Sequence, residues 1–164
     1  MKEIRLMAAA VAFAALAGCV TPQPPQTRMF FPVSEYEALP RAGTGVVEGQ
    51  VFMKTVGGDV KYGAGSEVLL NPVTSYSEEW YRATFIRHVS LSPADTRQDQ
   101  YIRTTQADGN GNFRFAGVPP GEYYVLSDVY WQAPTQFGMS TQGGLVAKRI
   151  SVENDQTARV IVTP

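Results

Sequence analysis

From residue 45 onward the chain alternates apolar and polar positions in short runs, the period of a half-buried β-strand rather than of a helix. Val47, Gly49, Val51 and Met53 interleave with Glu48, Gln50, Phe52 and Lys54, giving a first strand with one buried face. Val68 and Leu70 open a second strand that stops at Pro72. Phe113 and Phe115 alternate with Asn112 and Arg114, and Tyr123, Val125, Ser127 and Val129 fall on one face of the next run. Val146, Ile150 and Val152 mark a further strand, and Ala158, Val160 and Val162 the last. Turn formers separate them. Residues 108–111 supply Asp, Gly, Asn and Gly for a tight turn that opens a hairpin arm, and Pro120-Gly121 suits the centre of a type II turn. Glu153, Asn154, Asp155 and Gln156 form another turn. With no βαβ rhythm and no internal repeat, the expected architecture is an all-β, antiparallel Greek-key sandwich of about seven strands spanning residues 43–164.

Three stretches depart from this alternation. Ser75, Tyr76, Ser77 and Glu78 fit a capping box, predicting one short helical insertion over residues 76–88. Trp80, Ala83 and Ile86 share a face at helical spacing, but Tyr81 and Phe85 spoil it, so a strand stays open as the alternative. Residues 90–100 are polar and proline-broken and read as a loop. Residues 132–144, with Pro134, Gly138, Gly143 and Gly144, read as a second, longer one.

The run from Asp108 through Phe113, Phe115, Val118, Pro119, Pro120, Gly121, Tyr123 and Val125 resembles the signature of carboxypeptidase regulatory-like domains, small transthyretin-like β-sandwiches. The Gly-x-Val opening at Gly45 and the apolar Val68, Leu69 and Leu70 extend the likeness over residues 45–164. It implies a non-catalytic accessory module and leaves its ligand unnamed.

The first part of the chain is of another kind. Lys2 and Arg5 precede an apolar run over residues 6–17 that is too short to span a bilayer, the build of a secretory signal. It ends Leu16, Ala17, Gly18, Cys19, which resembles the bacterial lipobox, so residues 1–18 are expected to be removed and Cys19 acylated. Cys19 is the only cysteine, so no internal disulfide can form. Val20 after the cysteine, by resemblance to sorted lipoproteins, favours an outer-membrane anchor facing the periplasm. Residues 19–42 carry Pro22, Pro24, Pro25, Pro32 and Pro40 and read as a semi-rigid tether between membrane and domain. Within them Phe30 and Phe31 either pack back onto the sandwich or dock a partner.

Composition narrows the partners. The net charge is −1, far from a polyelectrolyte footprint, which argues against nucleic acid. Charged residues are 18%, below the roughly 25% of an average domain, in keeping with a turn-rich β protein.

Catalytic patterns are scarce. His88 is the only histidine, which removes a His-rich zinc site, and no GxSxG motif occurs. Asp108, Asn110 and Asn112 begin like a calcium loop, but Phe113 stands where glycine is needed and Pro119 where the bidentate glutamate belongs. Glu78 and Glu79 are neighbours that diverge on a helix. No cofactor, metal or catalytic residue is expected, and the chain reads as a non-enzymatic envelope lipoprotein, a structural or protein-interaction module. The alternative is a carbohydrate-binding module, for peptidoglycan or another envelope glycan, in which Tyr130, Trp131 and Phe137 stack on sugar rings; the competing role for these aromatics is core packing.

Overall fold

The computed structural model describes residues 24–164. The leader, Cys19, Val20 and the first part of the tether lie outside the described residues. The expected β-sandwich is present, with eight strands: β1 Gly45–Lys54, β2 Val60–Tyr62, β3 Glu67–Pro72, β4 Arg103–Gln106, β5 Asn112–Val118, β6 Gly121–Thr135, β7 Gly138–Val152 and β8 Thr157–Val162. β1 is the centre of the first sheet, flanked by β5 and β2 on one side and by β8 on the other; the second sheet runs β4-β3-β6-β7. All pairings are antiparallel except β1 with β8, which is parallel.

The alternating positions do what their period predicts. Val47, Val51, Val68, Leu70, Phe113, Phe115, Tyr123, Val125, Val129, Val146, Val152, Val160 and Val162 form one buried cluster between the sheets. Each fully buried side chain of this kind contributes about 1.5–3 kcal/mol over leaving it in water.

The turns behave differently from the hairpin expectation. β4 belongs to the second sheet and β5 to the first, so residues 108–111 carry the chain across the sandwich instead of folding it back. The turn itself is built as its residues require. Asp108 Oδ1 accepts the Asn110 and Asn112 amides at 2.8 and 2.9 Å, and Gly111 takes φ 77°. Asn112, by side chain and backbone, holds the Asp108 carboxyl below the usual carboxylate range. The Pro119-Pro120 link crosses back from β5 to β6, pinned by the Tyr123 hydroxyl donating to the Pro119 carbonyl at 2.9 Å. Gly121 there has φ 151°, well away from the roughly 80° of a type II turn.

Residues 132–144 are not a loop. β6 and β7, 15 residues each, pair continuously from Gly121 with Val152 to Thr135 with Gly138, closed by a turn of Gln136 and Phe137. The last partner of β6 on β3 is Ser127, paired with Val68, so the distal part of the hairpin is a two-stranded ribbon projecting past the sandwich. Pro134 is tolerated because β6 has a free edge there. Gly143 is needed because a Cβ would sit 2.0 Å from the Val129 carbonyl oxygen and 3.0 Å from the Trp131 ring. Loop chemistry and ribbon chemistry share the same residues, which is why composition misled.

The helix begins one residue earlier than the Ser75 box implies. Thr74 is the cap, accepting the Ser77 amide while the Ser77 hydroxyl accepts the Thr74 amide at 2.9 Å. α2 covers Ser75–Tyr81 and widens into a single π-turn, Arg82–Ile86, instead of continuing as α-helix to residue 88. Residues 90–100 are not wholly irregular: Leu91 bridges Gln26, and a 3₁₀ turn covers Thr96–Tyr101.

α2 stacks Tyr81 on Tyr124 at the outer face of the second sheet, and residues 26–42 run beside α2. Residues 26–42, read above as part of a spacer, run along the domain as a strap. Arg28 donates from its backbone to the Ser92 hydroxyl, and the Met29 amide donates to Glu79 at 3.0 Å. The short helix α1, Val33–Glu37, buries Tyr36 completely. Phe31 stacks on Tyr36 with ring centroids 4.5 Å apart and meets Tyr76 edge-on at 5.6 Å. Phe31 therefore packs inward, while Phe30, 97% exposed, points to solvent.

Candidate functional site

The three aromatics singled out in the sequence all lie on the projecting ribbon, but apart. Adjacent strand residues face opposite sides, so Tyr130 and Trp131 diverge. Trp131 is half-buried, packed against the core and lying over Gly143, whereas Tyr130 is 60% exposed on the other side. Phe137 is at the turn, 92% exposed. His88, the lone histidine, is exposed with φ 53° just past the π-turn. No group of three or more His, Cys, Asp or Glu side chains is placed to hold a metal among the described residues. No helix among them is long and apolar enough to cross a membrane.

Two other surfaces bring functional side chains together. The first is the outer face of the β5-β1-β8 sheet. Strand register puts Glu48 opposite Arg114 on one side and Arg159 on the other, and Gln50 opposite Asn112 and Ile161. Arg114 donates to Glu48 Oε2 at 3.2 Å and Arg159 to Glu48 Oε1 at 3.0 Å. The Gln50 side-chain amide donates to the Asn110 carbonyl at 2.8 Å. These residues line a shallow groove of about 590 Å³ running over Gly49. At its end Phe52 and Tyr62 pair edge-to-face across β1 and β2, centroids 6.5 Å apart, with Tyr62 and Ile161 largely open to solvent. The result is a flat face of planar amide, carboxylate and guanidinium groups ending in an aromatic pair. Such groups match the donors and acceptors of sugar hydroxyls, and an aromatic ring suits the apolar side of a pyranose.

The second is a cleft of about 850 Å³ on the opposite side of the molecule, between α2 and β7. Its wall is a stack of Tyr81 on Tyr124, centroids 4.6 Å apart and 11° from parallel. Arg82, Arg87 and Arg149 surround it. Glu78 accepts from Arg82 Nη2 at 2.8 Å, and Glu122 accepts from Arg149 Nε at 3.1 Å. The Ser151 hydroxyl and the Arg149 guanidinium hold the Glu122 carboxyl below its ordinary range. Burial pushes the Tyr124 hydroxyl up, opposed by Arg149 and Arg82 nearby.

Neither surface is legible as a site from spacing alone. Glu48 and Gln50 stand on the polar side of the first strand, yet their partners lie 60 or more residues away and only register joins them. Tyr124 alternates with the inward Tyr123, a hint that the outer side of β6 is covered too.

No family model matches the chain, and no curated protein matches it. Among solved structures, a candidate carbohydrate binding protein from Pseudomonas aeruginosa is 30% identical, with a TM-score of 0.76 over 84% of this chain and 99% of that one. The chain belongs to that protein's family. The shared fold extends over nearly the whole of the relative, so the two-sheet sandwich with its helical layer is the family's domain and not a local likeness.

Proposed function

We propose that this protein is a carbohydrate-binding module that takes a saccharide along the outer face of the β5-β1-β8 sheet. The carrying observation is the family relationship to a candidate carbohydrate binding protein over 99% of that chain. The face supplies the chemistry in support: Gln50, Asn112 and the Arg114-Glu48-Arg159 row to hydrogen-bond hydroxyls, and Tyr62 with Phe52 to stack a ring. We read the face as a binding surface and not as the site of a reaction. Pull-down on purified cell-wall glycan and on neutral oligosaccharides tests the reading. The wild type is expected to be retained, Tyr62→Ala to weaken binding by about 1 kcal/mol, roughly fivefold, and Arg159→Ala, at an exposed ion pair, to weaken it as well without lowering the melting temperature. Retention unaffected by either change would move the site elsewhere.

We propose further, from the apolar leader and the Leu16-Ala17-Gly18-Cys19 pattern, that the module is an outer-membrane lipoprotein facing the periplasm. Acylation of Cys19, each buried methylene adding about 0.8 kcal/mol, would hold it at the bilayer. Cys19→Ala is expected to leave an uncleaved precursor absent from the membrane fraction; normal processing of that variant would remove the anchor from the account. The ribbon, with Tyr130, Phe137 and Met139 all largely exposed, supports a second reading in which an envelope protein docks on the module. Crosslinking in intact cells separates the two, through a captured glycan or a captured protein.

A further inference from the structure

The cleft between α2 and β7 is bordered by irregular backbone. α2 gives way to the π-turn Arg82–Ile86, closed by the Arg87 amide donating to the Arg82 carbonyl at 2.9 Å, and His88 follows in the left-handed region at φ 53°. Single π-turns and non-glycine residues at positive φ are costly and concentrate where a site demands them. Their effect here is geometric. In an α-helix, with 3.6 residues per turn, side chains five positions apart diverge by about 140°. The wider i to i+5 closure reduces that divergence, and Arg82 and Arg87 both line the cleft that Arg149 of β7 lines from the sheet.

The acids of the cleft are already engaged. Glu78 is bonded to Arg82, and both oxygens of Glu79 accept the Met29 amide, at 3.0 and 3.3 Å. Arg87 has no ion-pair partner among the described residues, and Arg149 uses only Nε on Glu122. The remaining guanidinium donors are coplanar forks, which match a carboxylate better than they match a neutral hydroxyl. Beside them stand the exposed Ile86 and the edge of Tyr81, whose ring stacks on Tyr124 and on Phe85, an apolar rim for one side of a ring.

We infer that this cleft binds the carboxylate of an acidic sugar, Arg87 and Arg149 forking onto the carboxylate while Ile86 and the edge of Tyr81 lie against the ring. The site is separate from the sheet face and adds a charge requirement to the glycan-binding reading, on which it rests only for the ligand being a sugar. The test titrates the full chain with tetragalacturonate, its methyl ester, inorganic phosphate and a neutral tetrasaccharide, following amide NMR shifts and affinity. Tetragalacturonate is expected to perturb residues 82–88 and the surroundings of Arg149, and to bind about tenfold or more weakly to Arg87→Ala and Arg149→Ala, with Arg87→Lys between them. The methyl ester should lose the same factor, and matched melting temperatures exclude misfolding of the variants. The inference is overturned if the ester binds as well as the acid, if phosphate competes equally, if the perturbed amides lie on β1, β5 and β8, or if tetragalacturonate does not bind. In each of those cases a bound neutral tetrasaccharide leaves the sheet-face reading standing, whereas loss of the neutral ligand alone strikes that reading and spares the cleft.

Discussion

Gly49→Ala is expected to destabilise the domain by about 3 kcal/mol, one of the two largest effects of a single substitution proposed for this chain. Gly49 lies midway along β1, which is paired on both sides, with Phe113 across β5 and Val160 across β8. A methyl group there would stand 1.9 Å from the Val160 carbonyl oxygen and 3.0 Å from the Phe113 ring. The nearer obstacle is backbone and cannot rotate away. Relief requires β1 and β8 to separate, which breaks the parallel pairing that closes the first sheet and shifts Glu48 and Gln50 on its outer face. Urea unfolding should show the midpoint falling at unchanged slope, and glycan retention should fall with it. A loss under about 1 kcal/mol would mean that the strands are not packed as closely as described. Gly143→Ala meets a comparable obstacle, 2.0 Å from the Val129 oxygen, but on the ribbon, where the hairpin can yield without opening the core. Its effect should be smaller and confined to amides of β6 and β7 beyond the sandwich.

The second large effect concerns the strap. Tyr36→Ala is expected to cost about 3–4 kcal/mol, because it empties a site with no solvent exposure at the centre of an aromatic cluster. The Tyr36 ring stacks on Phe31 at 4.5 Å and tilts against Tyr101 at 4.9 Å, while Arg97 lies over the far ring of Phe31 at 4.7 Å. Without it, Phe31 loses its stacking partner and α1 loses its anchor. Glu35, which accepts the Ser75 amide at 2.7 Å at the start of α2, is then free to leave as well. Residues 26–42 should become susceptible to trypsin at Arg28 and Arg41, and Tyr36→Phe, which keeps the ring, should retain most of the stability. If Tyr36→Ala left the melting temperature unchanged, this segment would be a spacer after all. A strap that is fixed shortens the free leash between any anchor at Cys19 and the domain, and so limits how far the face proposed to bind glycan could stand from a membrane.

The sandwich itself was readable from alternation. Val47 and Val51, Phe113 and Phe115, Val125 and Val129 each stand two apart, and a period of two has one meaning when one side must be dry. The proposed leader and the lipobox-like pattern are likewise read from sequence alone, and both lie outside the described residues. Local chemistry also sufficed for the turn at Asp108, whose side chain caps amides two and four residues on.

What remained hidden depends on contacts between distant residues. Nothing local tells whether the chain doubles back or crosses over after Gly111, because the turn geometry serves both and only the competition of β1 and β3 for partners decides. Pro134, Gly143 and Gly144 carry the composition of a loop, and become strands because β6 and β7 hydrogen-bond each other beyond the reach of the core. The strap looked like a linker because its apolar residues are few, and Tyr36 counts for much only once Phe31, Tyr101 and the start of α2 enclose it. The two candidate sites share this origin: Glu48 with Arg114 and Arg159, and Arg87 with Arg149, are assembled by strand register and by a π-turn. Alternation determined which side of each strand is buried, a property of single residues and solvent; pairing, crossing and convergence belong to residues far apart in the chain, and only their packing could settle them.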